Sequence, residues 1–217
     1  MKKIVVGNWK ENKINIDFNE YVEKLEEITS KDVVIAPPYV YLPLLKTNKV
    51  KVSSQDVSIF NGGSNTGEIS CDMLKEFNCE YVIIGHNERR TKLNESNEYI
   101  NKKVLNALDN GMKVILCITS IDELIMSIKD VNNFDNLLIA FEPKEYIGST
   151  NTISREELIE FINRINEVTN KKCKVLYGGG IKEENISNLS NIDDLDGLLV
   201  GKSSLDIDSF INIINKW

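Results

Sequence analysis

The chain carries a single histidine among its 217 residues, and its cysteines, Cys71, Cys79, Cys117 and Cys173, show no CxxC spacing. That scarcity excludes a zinc site built from clustered imidazole and thiolate ligands. The thiols read instead as buried side chains in a reducing compartment. Positive charge is also short: 26 Lys and Arg against 33 Asp and Glu leave a formal net charge of −7. Such a balance argues against nucleic acid or an anionic membrane as the main partner. It is compatible with a small anionic substrate, because a local cluster of amides and lysines can oppose the global sign. No apolar run approaches the roughly 20 residues of a membrane span. The four-residue apolar run in "MKKIVVGNWK" is shorter than the about 7–15 residues of a signal peptide. The expected location is the cytoplasm.

What the sequence does hold is alternation. Short β-branched runs ("KIVVG", "DVVIAP", "VKVSSQD", "YVIIG", "KVILCI", "LLIAFEP", "KVLYGGG", "DGLLVG") are interleaved with amphipathic stretches such as "IDFNEYVEKLEEI", "NEYINKKVLNALDNG" and "SREELIEFINRINEVT". The strands are continuously apolar rather than alternating, which predicts burial on both faces, as in a parallel sheet. Eight strand–helix units run without a linker or low-complexity tract. Eight such units close naturally into an α/β barrel of about 250 residues, with about 200 near the lower end. The expectation is therefore one domain over residues 1–217, a single (β/α)8 barrel trimmed at its second and seventh helices. An open doubly wound sheet is the alternative, but it would lead with a GxGxxG turn after the first strand, and "VVGNWKEN" is not one.

In an eightfold barrel, chemistry gathers at the C-terminal ends of the strands. There the first strand delivers Asn8 and Lys10, the third Gln55 and Asp56, the fourth His86 followed by "NERR", and the sixth Glu142; the seventh ends in Gly178–Gly180 and the eighth in Gly201. Each of these has an ordinary reading alone, as a solvated lysine, a core histidine, a loop carboxylate or a tight turn. Converging on one rim, they suit proton movement next to a carbonyl on a phosphorylated substrate. A carboxylate dried under a closing loop becomes a stronger base, because burial disfavours its charged form. A lysine and an imidazole donor stabilise developing enolate charge. Glycine turns leading into helix N-termini offer N–H groups to a phosphate, and in barrels that site often follows strands seven and eight.

These motifs together resemble the triosephosphate isomerase family over essentially the whole chain. "GNWKEN" resembles its opening strand motif, and "NTGEIS" followed by "CEYVIIGHNERR" its third loop and fourth strand. "AFEPKEYIGS" resembles the strand and mobile lid of the catalytic glutamate, and "LYGGGI" and "LLVGKSSL" the two phosphate-binding turns. The resemblance implies a TIM barrel that interconverts dihydroxyacetone phosphate and glyceraldehyde 3-phosphate through an enediolate, without a metal or other cofactor. It implies that Glu142 is the base, His86 the electrophile, and Lys10 and Asn8 the substrate-polarising pair, with Glu88 holding Lys10. This family is itself the standard case of a neutral histidine at a helix N-terminus and of a gating lid. Gly148, Gly180, Gly201 and Lys202 are expected to line the phosphate through backbone amides.

The long third loop, Ser58–Ser70, implies self-association, a homodimer with a tetramer as the alternative, in which Thr66 lies nearest the neighbouring site. Several positions depart from the family pattern. Asn87 stands where serine is usual, Lys144–Glu145 and Ser149–Thr150 alter the lid ends, Gly180 replaces a serine, Lys202 replaces a glycine, and Thr119–Ser120 replaces glycine–glutamate. The changes spare Lys10, His86 and Glu142, but they leave open a barrel that binds a phosphorylated metabolite with little turnover, or an isomerase of another sugar phosphate.

Overall fold

The computed structural model describes residues 2–14, 17–28, 30–146 and 152–217. Its strands are β1 Ile4–Asn8, β2 Asp32–Ala36, β3 Lys51–Ser54, β4 Cys79–Ile84, β5 Lys113–Ile118, β6 Leu137–Phe141, β7 Lys174–Tyr177 and β8 Gly197–Val200. All neighbours pair in parallel and in chain order, and β1 also pairs with β8, which closes the barrel. The doubly wound alternative is thereby excluded.

The continuous apolar strands are explained by two buried layers. Side chains of one parity, including Ile4, Val6, Ala36, Ile83, Ile115 and Leu176, fill the barrel interior. Those of the other parity, among them Val5, Ile35, Val82, Leu116 and Ile139, face the surrounding helices in a second and larger cluster. Alternation thus persists in space, although both parities are apolar in sequence. Closure demands one exceptional residue: a Cβ on Gly197 would overlap the backbone carbonyl of Ile4.

The helices are α1 Phe18–Glu26, α2 Cys71–Glu76, α3 Asn87–Lys92, α4 Asn97–Asp109, α5 Ile121–Ser127, α6 Arg155–Thr169 and α7 Ile207–Lys216. Side-chain caps start them: Asp17, Ser70, Ser96, Ser120, Ser154 and Asp206 each accept backbone N–H bonds, and Ser154 with Glu157 forms a full capping box. The expected trimming falls where the sequence placed it. The second and seventh helical positions are short 3₁₀ segments, Tyr39–Leu44 and Ile186–Asn188. Pro43 inside the first lacks an N–H to donate, and the "ENISN" composition of the second favours local side-chain bonds over helix.

Candidate active site

The helix after β4 is built around its own cap. His86 is the N-cap of α3, and its Nδ1 accepts the backbone N–H of Glu88 at 3.2 Å. An imidazole nitrogen that accepts cannot carry the proton, so the ring is neutral with its hydrogen on Nε2. Glu88 Oε2 lies 3.4 Å from the same Nδ1, but the backbone N–H already occupies that lone pair. His86 is buried, and Nε2 points toward Glu142 Oε1 at 3.2 Å.

Glu142 follows β6 directly. Its N–H is tied to Ile118 O at 2.9 Å, so the carboxylate is delivered from a fixed strand end. Both side chains are nearly dry, His86 being 5% and Glu142 7% exposed. His86 Nε2 and Glu142 Oε2 are buried without an aligned hydrogen-bond partner among the described residues. Buried polar atoms are ordinarily satisfied, so an unmatched acid–base pair facing a cavity marks a place where a ligand's oxygen and hydrogen complete the set. Two neighbours fix Glu142 in place. Cys117 is fully buried beside it, and that burial, followed by the Glu142 charge, pushes its thiol well above the usual range and keeps it protonated. Gly178 backs the carboxylate so closely that a Cβ there would lie 3.0 Å from Glu142 Cγ.

Lys10 lines the same cavity as the His86–Glu142 pair. Its Nζ meets Glu88 Oε1 at 2.8 Å and its N–H donates to Asn8 Oδ1 at 3.0 Å. Burial pushes the Glu88 carboxyl up, but its hydrogen bond to Lys10 and the Lys10 charge outweigh that and hold it below the ordinary range.

Opposite stand the glycine turns. Asn185 Nδ2 donates to Gly180 O at 2.7 Å, and Ser203 Oγ to Ile181 O at 3.0 Å, which ties the turn after β7 to the one after β8. Lys202 opens a 3₁₀ turn, Lys202–Leu205, and its side chain is exposed. A cavity of about 400 Å³ is lined by Asn8, Lys10, His86, Glu142, Gly180, Gly201 and Lys202, among others. The structure therefore brings together on one rim every catalytic and phosphate-binding residue expected from sequence, except Gly148, which lies outside the described residues. Thr66 sits apart, exposed on the third loop. The segment expected to form the lid is described only to Tyr146 and again from Thr152, where the Ile153 N–H donates to Tyr177 Oη at 3.1 Å. Among the described residues, no group of three or more His, Cys, Asp or Glu is arranged to hold a metal ion, and no helix is long and apolar enough to cross a membrane.

Sequence reasoning missed a buried cluster behind α3. Lys103 on α4 is 1% exposed and meets Asp56 at 2.7 Å and Glu95 at 2.6 Å. Arg89 bridges the same carboxylates at 2.7 and 2.6 Å. Burial pushes Asp56 up, whereas at Glu95 the bonds to Arg89 and Lys103 outweigh burial and hold the carboxyl down. The cluster locks the helix carrying His86 and Glu88 to β3 and α4. Its only sequence signal was an i, i+8 pairing of Glu95 with Lys103, which helical periodicity alone does not distinguish from a solvated face.

Fold and rim together define a (β/α)8-barrel protein with a dry acid–base pair across from a glycine-rich turn. Comparison narrows that class. The family model described as triosephosphate isomerase matches residues 3–217. The triosephosphate isomerase of Alkaliphilus oremlandii (strain OhILAs) is 35% identical over 246 aligned positions, covering 99% of each chain. That of Legionella pneumophila (strain Paris) is 34% identical over 243 positions, 98% of each chain, and that of Aquifex aeolicus (strain VF5) 32% over 249, with both chains covered in full. The chain belongs to the triosephosphate isomerase family.

Proposed function

We propose that this chain is an aldose–ketose isomerase interconverting dihydroxyacetone phosphate and glyceraldehyde 3-phosphate, a step of glycolysis and gluconeogenesis. Glu142 removes a proton from the carbon beside the carbonyl. As charge grows on the carbonyl oxygen, His86 Nε2–H and the Lys10 ammonium stabilise the enediolate, with Asn8 holding the Lys10 backbone. His86 Nε2–H gives its proton to that oxygen and takes the neighbouring hydroxyl's proton, while Glu142 returns the carbon-bound proton to the adjacent carbon, so no cofactor is consumed. The phosphate is held across the cavity by backbone N–H groups of the Gly180 and Gly201 turns, with Gly148 of the lid and Lys202 beside it. The observation that carries this reading is the buried His86–Glu142 pair, 3.2 Å apart and short of partners among the described residues, on the same cavity as Lys10. A direct assay of glyceraldehyde 3-phosphate conversion tests it. Binding of inorganic phosphate without turnover would favour a barrel that only binds a phosphorylated metabolite.

We also propose a homodimer in which the third loop, with Thr66, approaches the partner's site. Supporting this are exposed apolar side chains on and around that loop: Phe60 at 44%, Met73 at 48% and Phe77 at 40%, with Val40 and Leu44 on the preceding 3₁₀ turn. Sedimentation giving a fully active monomer at micromolar concentration would sink the idea. Residues 1–217 acting as one cytoplasmic domain is the reading supported by the closed barrel and by four buried free cysteines.

A further inference from the structure

Lys10 holds a backbone φ of +52°, a left-handed conformation that a lysine keeps only where its surroundings over-determine it. Three groups grip it. Asn8 Oδ1 takes its N–H and Glu88 takes its Nζ. The third is Gln55, just beyond β3, whose Nε2 donates to Lys10 O at 2.9 Å and to Ala36 O at 2.8 Å. The Ala36 carbonyl, at the end of β2, also accepts the Trp9 N–H at 3.1 Å. One amide thus joins the ends of β1 and β2 to the segment after β3. Both Nε2 protons are spent on carbonyl oxygens, which fixes the amide orientation: a donor must stand there, and a carboxylate oxygen would face two acceptors. Gln55 is half-buried and does not line the cavity, so it has no direct route to a ligand.

We infer that Gln55 is a positioning residue for the isomerisation. It clamps the strained backbone of Lys10 so that the ammonium, steered from its other end by Glu88, stays aimed into the cavity. The inference rests on the role given to Lys10 above. Loss of the clamp lets φ relax and moves the ammonium away from the reacting oxygen, which costs turnover but not phosphate binding, because the phosphate turns lie on β7 and β8.

The test is a double-mutant cycle in steady-state kinetics, with inorganic phosphate as competitive inhibitor. Gln55→Met is expected to lower kcat at least tenfold while the phosphate inhibition constant stays within twofold. In a Lys10→Ala background, itself down at least a hundredfold, the same Gln55→Met change should alter kcat by less than twofold. Gln55→Glu supplies a second readout. Its activity relative to wild type should rise as pH falls from 8 to 5.5, because only the protonated carboxyl can donate to a carbonyl. If Lys10→Ala is crippling but Gln55→Met is silent, or if Gln55→Met costs the same factor with and without Lys10, the inference is wrong and the active-site reading stands. A flat pH ratio for Gln55→Glu also overturns it. A mild Lys10→Ala variant overturns the active-site reading and this inference with it.

Discussion

The two ends of this barrel carry cavities of similar size and opposite character. At the N-terminal end of the strands, about 480 Å³ is bordered by charged groups including Lys113, Lys171, Asp194 and Asp196. Those charges look after one another in water: Lys171 meets Asp194 at 2.9 Å with both well exposed, and Asp196 accepts the Val175 N–H at 2.9 Å. At the C-terminal end, about 400 Å³ is bordered by an acid and an imidazole that are almost fully dry and lack aligned partners among the described residues. Volume does not separate the two. Desolvation of unmatched groups does, because stabilisation aimed at a transition state needs polar atoms that water and the protein leave unsatisfied.

The comparison is broken most directly at Glu142. Glu142→Gln should lower kcat at least a hundredfold, about 2.7 kcal/mol of transition-state stabilisation, while inorganic phosphate still binds. A variant retaining a tenth of wild-type turnover would mean that the base lies elsewhere. Gly178→Ala comes next: its methyl would sit 3.0 Å from Glu142 Cγ, so kcat should fall about tenfold with the fold intact by circular dichroism. Unchanged turnover would show that the carboxylate can shift without consequence. Lys202→Gly sharpens the contrast on the side proposed to hold the phosphate through backbone amides. KM should move by less than tenfold with kcat nearly intact, and a hundredfold loss of kcat would promote that side chain to the reacting centre. Smallest of all is Lys171→Ala at the opposite end. An exposed ion pair contributes at most about 1 kcal/mol, so thermal denaturation should shift little and activity should stay within twofold. Loss of turnover there would erase the distinction between the two ends.

The architecture was legible because the barrel's repeat is written as apolar runs at regular intervals, and the rim because Asn8, Lys10, His86 and Glu142 each follow such a run directly. Less legible was everything that depends on a side chain's neighbours across the barrel. Nothing in "NKKV" sets Lys103 apart from Lys102, yet Lys103 is buried against two carboxylates. Cys117 reads as a bland core thiol, yet it borders Glu142, a contact set by β5–β6 pairing of Cys117 with Ala140. Gln55 was placed at the rim by its strand end, but its task lies in a bond to a residue 45 positions earlier.

Gly197 fits against the Ile4 carbonyl because β8 is the strand that seals the sheet to β1. That pairing has a timetable. A ribosome adding roughly 5–20 residues per second delivers β8 on the order of ten seconds or more after β1. Throughout that interval β1 can pair with β2 but keeps its other edge unpaired, with a row of N–H and C=O groups open to any passing strand. The nascent chain's most exposed template is therefore its oldest segment, and a bulkier residue at position 197 would prolong that exposure after synthesis has ended. Such a change should register as insoluble protein made in the cell rather than as a weaker enzyme.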